Sequence, residues 1–199
     1  MSGPFMQGRQ AGAGADPGPA RGTRGSVSFQ PMATLEEHVP DADAFRRAVG
    51  RFATGVTIVT TVVDGVDHAM TASSFAAVSL EPLLVLVCVE KEARFHDAVL
   101  AAGTWGVSVL DSTGRPAADW FAMRGRPLHG QLDRVAFSRG AATGCALLDG
   151  SLATLECRTT AVYDGGDHDI VLGEVVSLGT PRPDGRPLLY YRSRYHTLP

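Results

Sequence analysis

Asp164-Gly165-Gly166-Asp167-His168-Asp169-Ile170-Val171-Leu172-Gly173-Glu174-Val175-Val176 is the stretch on which the reading of this chain turns. Gly165-Gly166 makes a tight turn, and an exposed acid-His-acid triplet then enters an apolar strand running from Asp167 to Leu178. Leu152 to Tyr163 reads as the preceding strand, so the two form a long antiparallel hairpin. Upstream, Val56 to Val63 is a β-branched run closed by Asp64-Gly65, the pair favoured in a two-residue hairpin turn. Leu83 to Val89 is a continuous apolar run suited to a central strand, Trp105 to Leu110 alternates, and Leu188 to Tyr191 completes the set. Three helices flank the strands. Asp41 and Asp43 are candidate caps for the first, whose Phe45, Val49 and Phe52 fall on one stripe and which Gly55 ends. The second spans about Ala93 to Ala102 with Gly103 as its cap, and the third spans Arg115 to Met123. Short strands linked by hairpins, with helices at the margins, predict a mainly β fold with an antiparallel, Greek-key-like barrel rather than a doubly wound sheet. No Gly-x-Gly-x-x-Gly follows a strand, which argues against a Rossmann nucleotide site.

Bulk properties agree with one ordinary domain. The 199 residues divide into a Gly-, Ala-, Pro-rich segment, residues 1–38, expected to be a disordered tail, and a domain over residues 39–199. Arg9, Arg21 and Arg24 with few acids suggest a targeting peptide, but the segment lacks the apolar run of a secretory signal; an upstream start or an idle tail explains it more simply. Cys88, Cys145 and Cys157 are odd in number and widely spaced, without Cys-x-x-Cys, so reduced thiols, a cytoplasmic location and no metal site are expected. A net charge of −3 with interspersed signs argues against a nucleic-acid partner. No apolar run nears the roughly 20 residues that cross a bilayer, so no membrane association is expected.

Six ordered segments carry a resemblance. They are Phe45-Arg46 through Ala53-Thr54-Gly55-Val56, Thr71-Ala72-Ser73-Ser74-Phe75, Ser79-Leu80-Glu81-Pro82, Leu155-Glu156-Cys157, Gly166-Asp167-His168 to Gly173-Glu174-Val175, and Pro187-Leu188-Leu189-Tyr190-Tyr191. Together they resemble the short-chain flavin reductase family over about Asp43 to Leu198. The resemblance implies a split β-barrel that dimerises, binds FMN or FAD, and reduces the flavin with NADH or NADPH for a separate flavin-dependent monooxygenase. The chain departs from the family at Pro82-Leu83, where Pro-Pro is usual, and at Thr143-Gly144-Cys145-Ala146-Leu147-Leu148.

A flavin needs cations or backbone N–H groups at its phosphate end and a flat apolar wall at its ring. Met70, Thr71, Ala72, Ser73 and Ser74, read as a loop between strands, offer hydroxyls and close backbone approach to the ring edge, with Ser79 nearby. Cys88, Val89, Glu90, Lys91, Arg94 and Phe95 lead from the central strand into a helix amino terminus, where Lys91 and Arg94 are the phosphate candidates. Paired with Glu90 or Asp97 instead, these two would be ordinary surface charges. Gly166 and Asp167 flank His168, which the resemblance places beside the nicotinamide and which is the catalytic candidate. A regular pleat turns Asp167 and Asp169 away from it, leaving His168 alone on its face. Hydride transfer needs the two rings stacked about 3 to 3.5 Å apart and no general base. Trp120, Phe121, Tyr190 and Tyr191 read as core or interface, and only Tyr195 joins the site. The alternative is a non-catalytic flavin or haem carrier on the same barrel.

Overall fold

The computed structural model describes residues 41–198; the tail expected over residues 1–38 lies outside the described residues. In order, the elements are α1 (Ala42–Val49), β1 (Thr54–Gly55), β2 (Thr57–Val63), β3 (Val66–Ala72), β4 (Ala76–Leu80), β5 (Leu83–Glu90), α2 (Arg94–Ala102), β6 (Thr104–Val109), α3 (Arg115–Ala122), β7 (Phe137–Arg139), β8 (Ala146–Leu148), β9 (Ala153–Asp164), β10 (His168–Gly179), β11 (Leu188–Tyr191) and β12 (Arg194–Thr197). Seven strands form one antiparallel sheet in the order β3-β2-β6-β9-β10-β5-β4, while β1-β11-β12 and β7-β8 form smaller ones.

That order dictates closure. β3 and β4 are the two edges of the seven-stranded sheet, yet only Ser73, Ser74 and Phe75 separate them in the chain. Four Cα steps reach at most about 14 Å. Seven flat strands would hold their edges roughly 29 Å apart. The sheet therefore curls until its edges nearly meet, giving the split barrel expected of the sequence. Val59, Val85, Val87, Val89, Trp105, Val107, Cys157 and Val171 fill one core, plugged by Phe95 and Val99 of α2. A second core packs Val56, Ile58, Leu110, Leu148 and Leu188 against Phe121 of α3. β2 thus contributes to both cores, which is why its sequence is β-branched without polar alternation.

Local sequence explains the corners. Asp64 and Gly65 take φ of 51° and 76°, the two positive values a type I′ turn demands. Gly173, inside the opening stretch, lies under the Trp105 indole at a register shift between β10 and β9; a Cβ there would sit 2.6 Å from Trp105 Cζ2. Two expectations are corrected. α1 is capped by Asp41 but stops at Val49, not near Gly55, because the Gly50 carbonyl accepts from Arg192 N–H and turns the chain into β1. Phe52 falls beyond the helix, and Phe45, Val49 and Phe52 are 64%, 50% and 74% exposed. Thr71 and Ala72 are the last residues of β3 rather than loop, paired with Ile58 and Thr57.

Candidate active site

A cavity of about 470 Å³ opens where β3, β5 and β10 meet the start of α2 and the connection after α3. Its size falls within the range for small-molecule pockets. Met70, Ala72, Phe95, Phe121 and Met123 give it apolar surface, and Arg94, Arg124, Arg126, His68 and His168 give it cationic or titratable groups.

The Met70–Ser74 segment enters the cavity, but most of its hydroxyls are spent on the protein. Thr71 Oγ1 donates to Ala118 C=O at 2.7 Å, tying β3 to α3. Ser74 Oγ accepts from Cys88 N–H and donates to Cys88 C=O, both at 3.1 Å. Exposed Ser73 keeps its hydroxyl free of any hydrogen bond among the described residues.

β5 divides its residues by the pleat. Cys88 and Glu90 line the cavity; Val89 is fully buried in the barrel core. Glu90 sits directly across from His168 in the β5–β10 register, so the two side chains share a face. Lys91 is outside the cavity lining. It is held between Asp164 and Asp169, which raise its pKa chiefly through the hydrogen bond to Asp164. His96 extends this network: its Nε2 lies 2.8 Å from Asp169 and its Nδ1 3.1 Å from Asp97. Those hydrogen bonds, with that to Asp169 foremost, raise the His96 pKa against the opposing cost of burial.

Arg94 lines the cavity and donates to the Arg126 carbonyl. Arg126 donates to Phe121 C=O, Met123 C=O and Ala69 C=O at 2.6, 2.5 and 2.7 Å, clamping the end of α3 to β3. Neither guanidinium has a carboxylate within ion-pair distance among the described residues, and the Arg126 Nε atom is buried without a partner. His68 is held below its usual pKa by burial first and then by the Arg94 charge. α2 has Ala93 at its amino cap, which provides no side-chain cap. Its first N–H groups, Arg94 and Arg126 together make an anion-binding corner.

His168 also lines the cavity, and its Nδ1 lies 2.8 Å from Asp167 Oδ1. A regular pleat would turn Asp167 away from His168, but Asp167 precedes β10 in the hairpin turn, where the pleat does not bind it. An ionised carboxylate only accepts, so Nδ1 carries the proton and Nε2 of the neutral ring is an acceptor. The hydrogen bond from His168 lowers the Asp167 pKa.

Gly166, Asp167, Ser79 and Tyr195 do not line this cavity; Tyr195 packs with Tyr190 against the second core. The sequence reading missed His68, Met123, Arg124, Arg126 and Gln131. Two arginines flanking Gly125 directly after α3 were the readable sign of them.

Barrel, cavity and cation placement define a small barrel protein built to hold an anionic, flat-ringed cofactor. The chain belongs to the family described as flavin reductase like domain, which matches residues 49–199. Among similar proteins, an NADH-dependent FAD reductase of Streptomyces globisporus is 42% identical over 156 residues, covering 78% of this chain and 85% of that one. The reductase subunit HsaB of a flavin-dependent monooxygenase from Mycobacterium tuberculosis (strain ATCC 25618 / H37Rv) is 39% identical, covering 78% and 81%. The solved structure of the Streptomyces globisporus C-1027 NADH:FAD oxidoreductase SgcE6, in complex with NAD and FAD fragments, superposes with a TM-score of 0.76 at 39% identity, covering 80% of this chain and 93% of that one.

Proposed function

We propose that this protein reduces FMN or FAD with a nicotinamide nucleotide, NADH in the first instance, and supplies the reduced flavin to a partner monooxygenase. The observation that carries the reading is the joining, in one cavity, of an apolar wall, an anion-binding corner and His168. The residues present fit a flavin. Arg94, Arg126 and the open amino terminus of α2 would hold its phosphate, and Met70 to Ser74 would meet its ring edge, with the Ser73 hydroxyl and backbone groups as donors. When bound, the flavin supplies an N5 that accepts hydride from nicotinamide C4. The chain's part is positioning and exclusion of water. Asp167 fixes the His168 tautomer so that Nε2 accepts from a carboxamide N–H, orienting the nicotinamide. Cys88, Glu90 and Phe95 complete the set from the cavity lining, whereas Ser79, Val89, Lys91, Gly166 and Tyr195 lie outside it and are left out of the proposed contacts.

The functional unit is a homodimer in the cytoplasm. Val78, Leu80 and Leu83 on β4 and β5, with Val176 and Leu178 on neighbouring β10, are exposed apolar residues that a second copy would cover. All three cysteines are free, and no helix among the described residues is long and apolar enough to cross a membrane.

Anaerobic addition of NADH to protein and flavin tests the reading. Loss of flavin absorbance at a rate that depends on protein supports it. Tight flavin binding with no bleaching by NADH or NADPH refutes it and favours the carrier.

A further inference from the structure

Three cavity guanidiniums differ in how they are held. Arg94 and Arg126 are committed to main-chain carbonyls, which stay put. Arg124 is not. Its Nη2 donates to Glu90 Oε1 and Oε2 at 2.7 and 2.8 Å, and no other hydrogen bond of its side chain occurs among the described residues. The pair joins opposite walls of the cavity, with Glu90 at the end of β5 and Arg124 on the connection after α3. The Arg124 side chain is 80% exposed and that of Glu90 35%. An ion pair this open to water contributes little, so a doubly charged ligand displaces it easily. Glu90 also faces His168 across the strand register, so the exchangeable cation is paired with a neighbour of the nicotinamide-side residue.

We propose that Arg124 is a specificity-determining residue that exchanges Glu90 for the diphosphate of the nicotinamide dinucleotide, with Glu90 as the built-in competitor. This rests on the hydride-transfer reading above. Cations held in two different ways in one cavity match two anionic ligands, one held by fixed cations and one by a cation that can let go. The exchange gives opposite signs for two substitutions at one ion pair. Removing Arg124 weakens the nucleotide, whereas removing the Glu90 charge frees Arg124 and strengthens it.

The test combines steady-state kinetics with calorimetric binding of oxidised NAD to the full chain. Arg124→Ala is expected to raise the NADH KM and the NAD dissociation constant roughly tenfold, the scale of a charge-assisted phosphate contact in a wet site, with kcat and flavin affinity little changed. Arg124→Lys recovers part of the loss, because it restores the charge without the planar fork. Glu90→Gln is expected to lower both constants by about two- to threefold, the scale of an exposed ion pair. Unchanged NAD binding by Arg124→Ala, or weaker binding by Glu90→Gln, overturns the exchange. NAD binding that responds to both substitutions as stated, in a protein that never turns over, upholds the exchange and refutes only the hydride-transfer reading.

Discussion

Ser74→Ala tests whether the seam of the barrel and the wall of the cavity are held by one side chain. The β4–β5 ladder runs back to Ala76 opposite Leu86, and continuing it by two residues places Ser74 opposite Cys88. There the Ser74 hydroxyl substitutes for a strand partner, satisfying both Cys88 N–H and Cys88 C=O at 3.1 Å. Alanine leaves both backbone groups without this partner. Half-burial lets water recover part of the loss, so the cost is about 1–2 kcal/mol rather than the full penalty for two dry groups. For a domain of this size, about 2–4 °C of melting temperature accompanies each kcal/mol, giving a drop of roughly 2–8 °C. Ser73→Ala is the internal control, since that exposed hydroxyl has no partner and its loss should cost under about 0.5 kcal/mol. Calorimetric melting of both variants, with flavin affinity from fluorescence quenching, checks the account. The loosened Ser73–Phe75 connection should weaken flavin binding in Ser74→Ala as well. A Ser74→Ala protein that melts within a degree or so of the parent, or a Ser73→Ala protein that melts just as low, would refute the seam.

Gly173→Ala drives a methyl into the Trp105 indole and is expected to cost about 1–3 kcal/mol, read as a lower urea midpoint with unchanged slope. His96 carries a raised pKa, so its contribution is complete below its unfolded value of 6.5 and is lost as pH rises through the higher folded value; the melting gap between parent and His96→Asn should therefore shrink as pH is raised above 6.5, and a gap that widens disproves the bridge. Asp167→Asn leaves the His168 tautomer unfixed and should raise the nucleotide KM severalfold with flavin affinity intact, while His168→Ala should raise it further; KM values equal to the parent's contradict the assignment. Arg94→Ala should weaken FMN more than riboflavin, whereas Lys91→Ala, removed from the cavity and paired with Asp164 and Asp169, should shift both equally; the reverse pattern restores Lys91 as the phosphate ligand.

Strand identity was legible because β-branched runs, Asp64-Gly65 and Gly165-Gly166 are local signals obeyed locally. Strand order was not. Nothing in the periodicity of β3 or β4 says that they occupy opposite sheet edges; hairpin-linked short strands and the family resemblance both point to a barrel, and the three-residue link between those edges supplies the physical reason for closure. α1 shows a different limit. Its Phe45, Val49, Phe52 stripe promised burial of one face, yet those side chains lie exposed on the protomer, because a stripe records that a face is apolar and not what covers it.

At the site, the readable and unreadable residues divide by geometry that a linear segment conceals. A linear reading puts Cys88, Val89, Glu90, Lys91, Arg94 and Phe95 in one pocket, but β5 sends Cys88 and Glu90 to the cavity and Val89 to the barrel core. A period of two applied to that strand separates those residues without coordinates. Lys91 could not be separated that way. Its direction is set by Asp164 and Asp169, 73 and 78 positions later, which meet it only because β10 pairs with both β9 and β5. Arg126 is the mirror case, brought to the cavity through its bond to Ala69 C=O, 57 positions earlier. Charge on the sequence therefore identified which cations exist, while the strand order decided which of them are spent on carboxylates and which remain for a ligand. Arg94 and Arg126 remain, fixed by carbonyls that neutralise no charge, and that is the physical ground for placing the flavin phosphate with them rather than with Lys91.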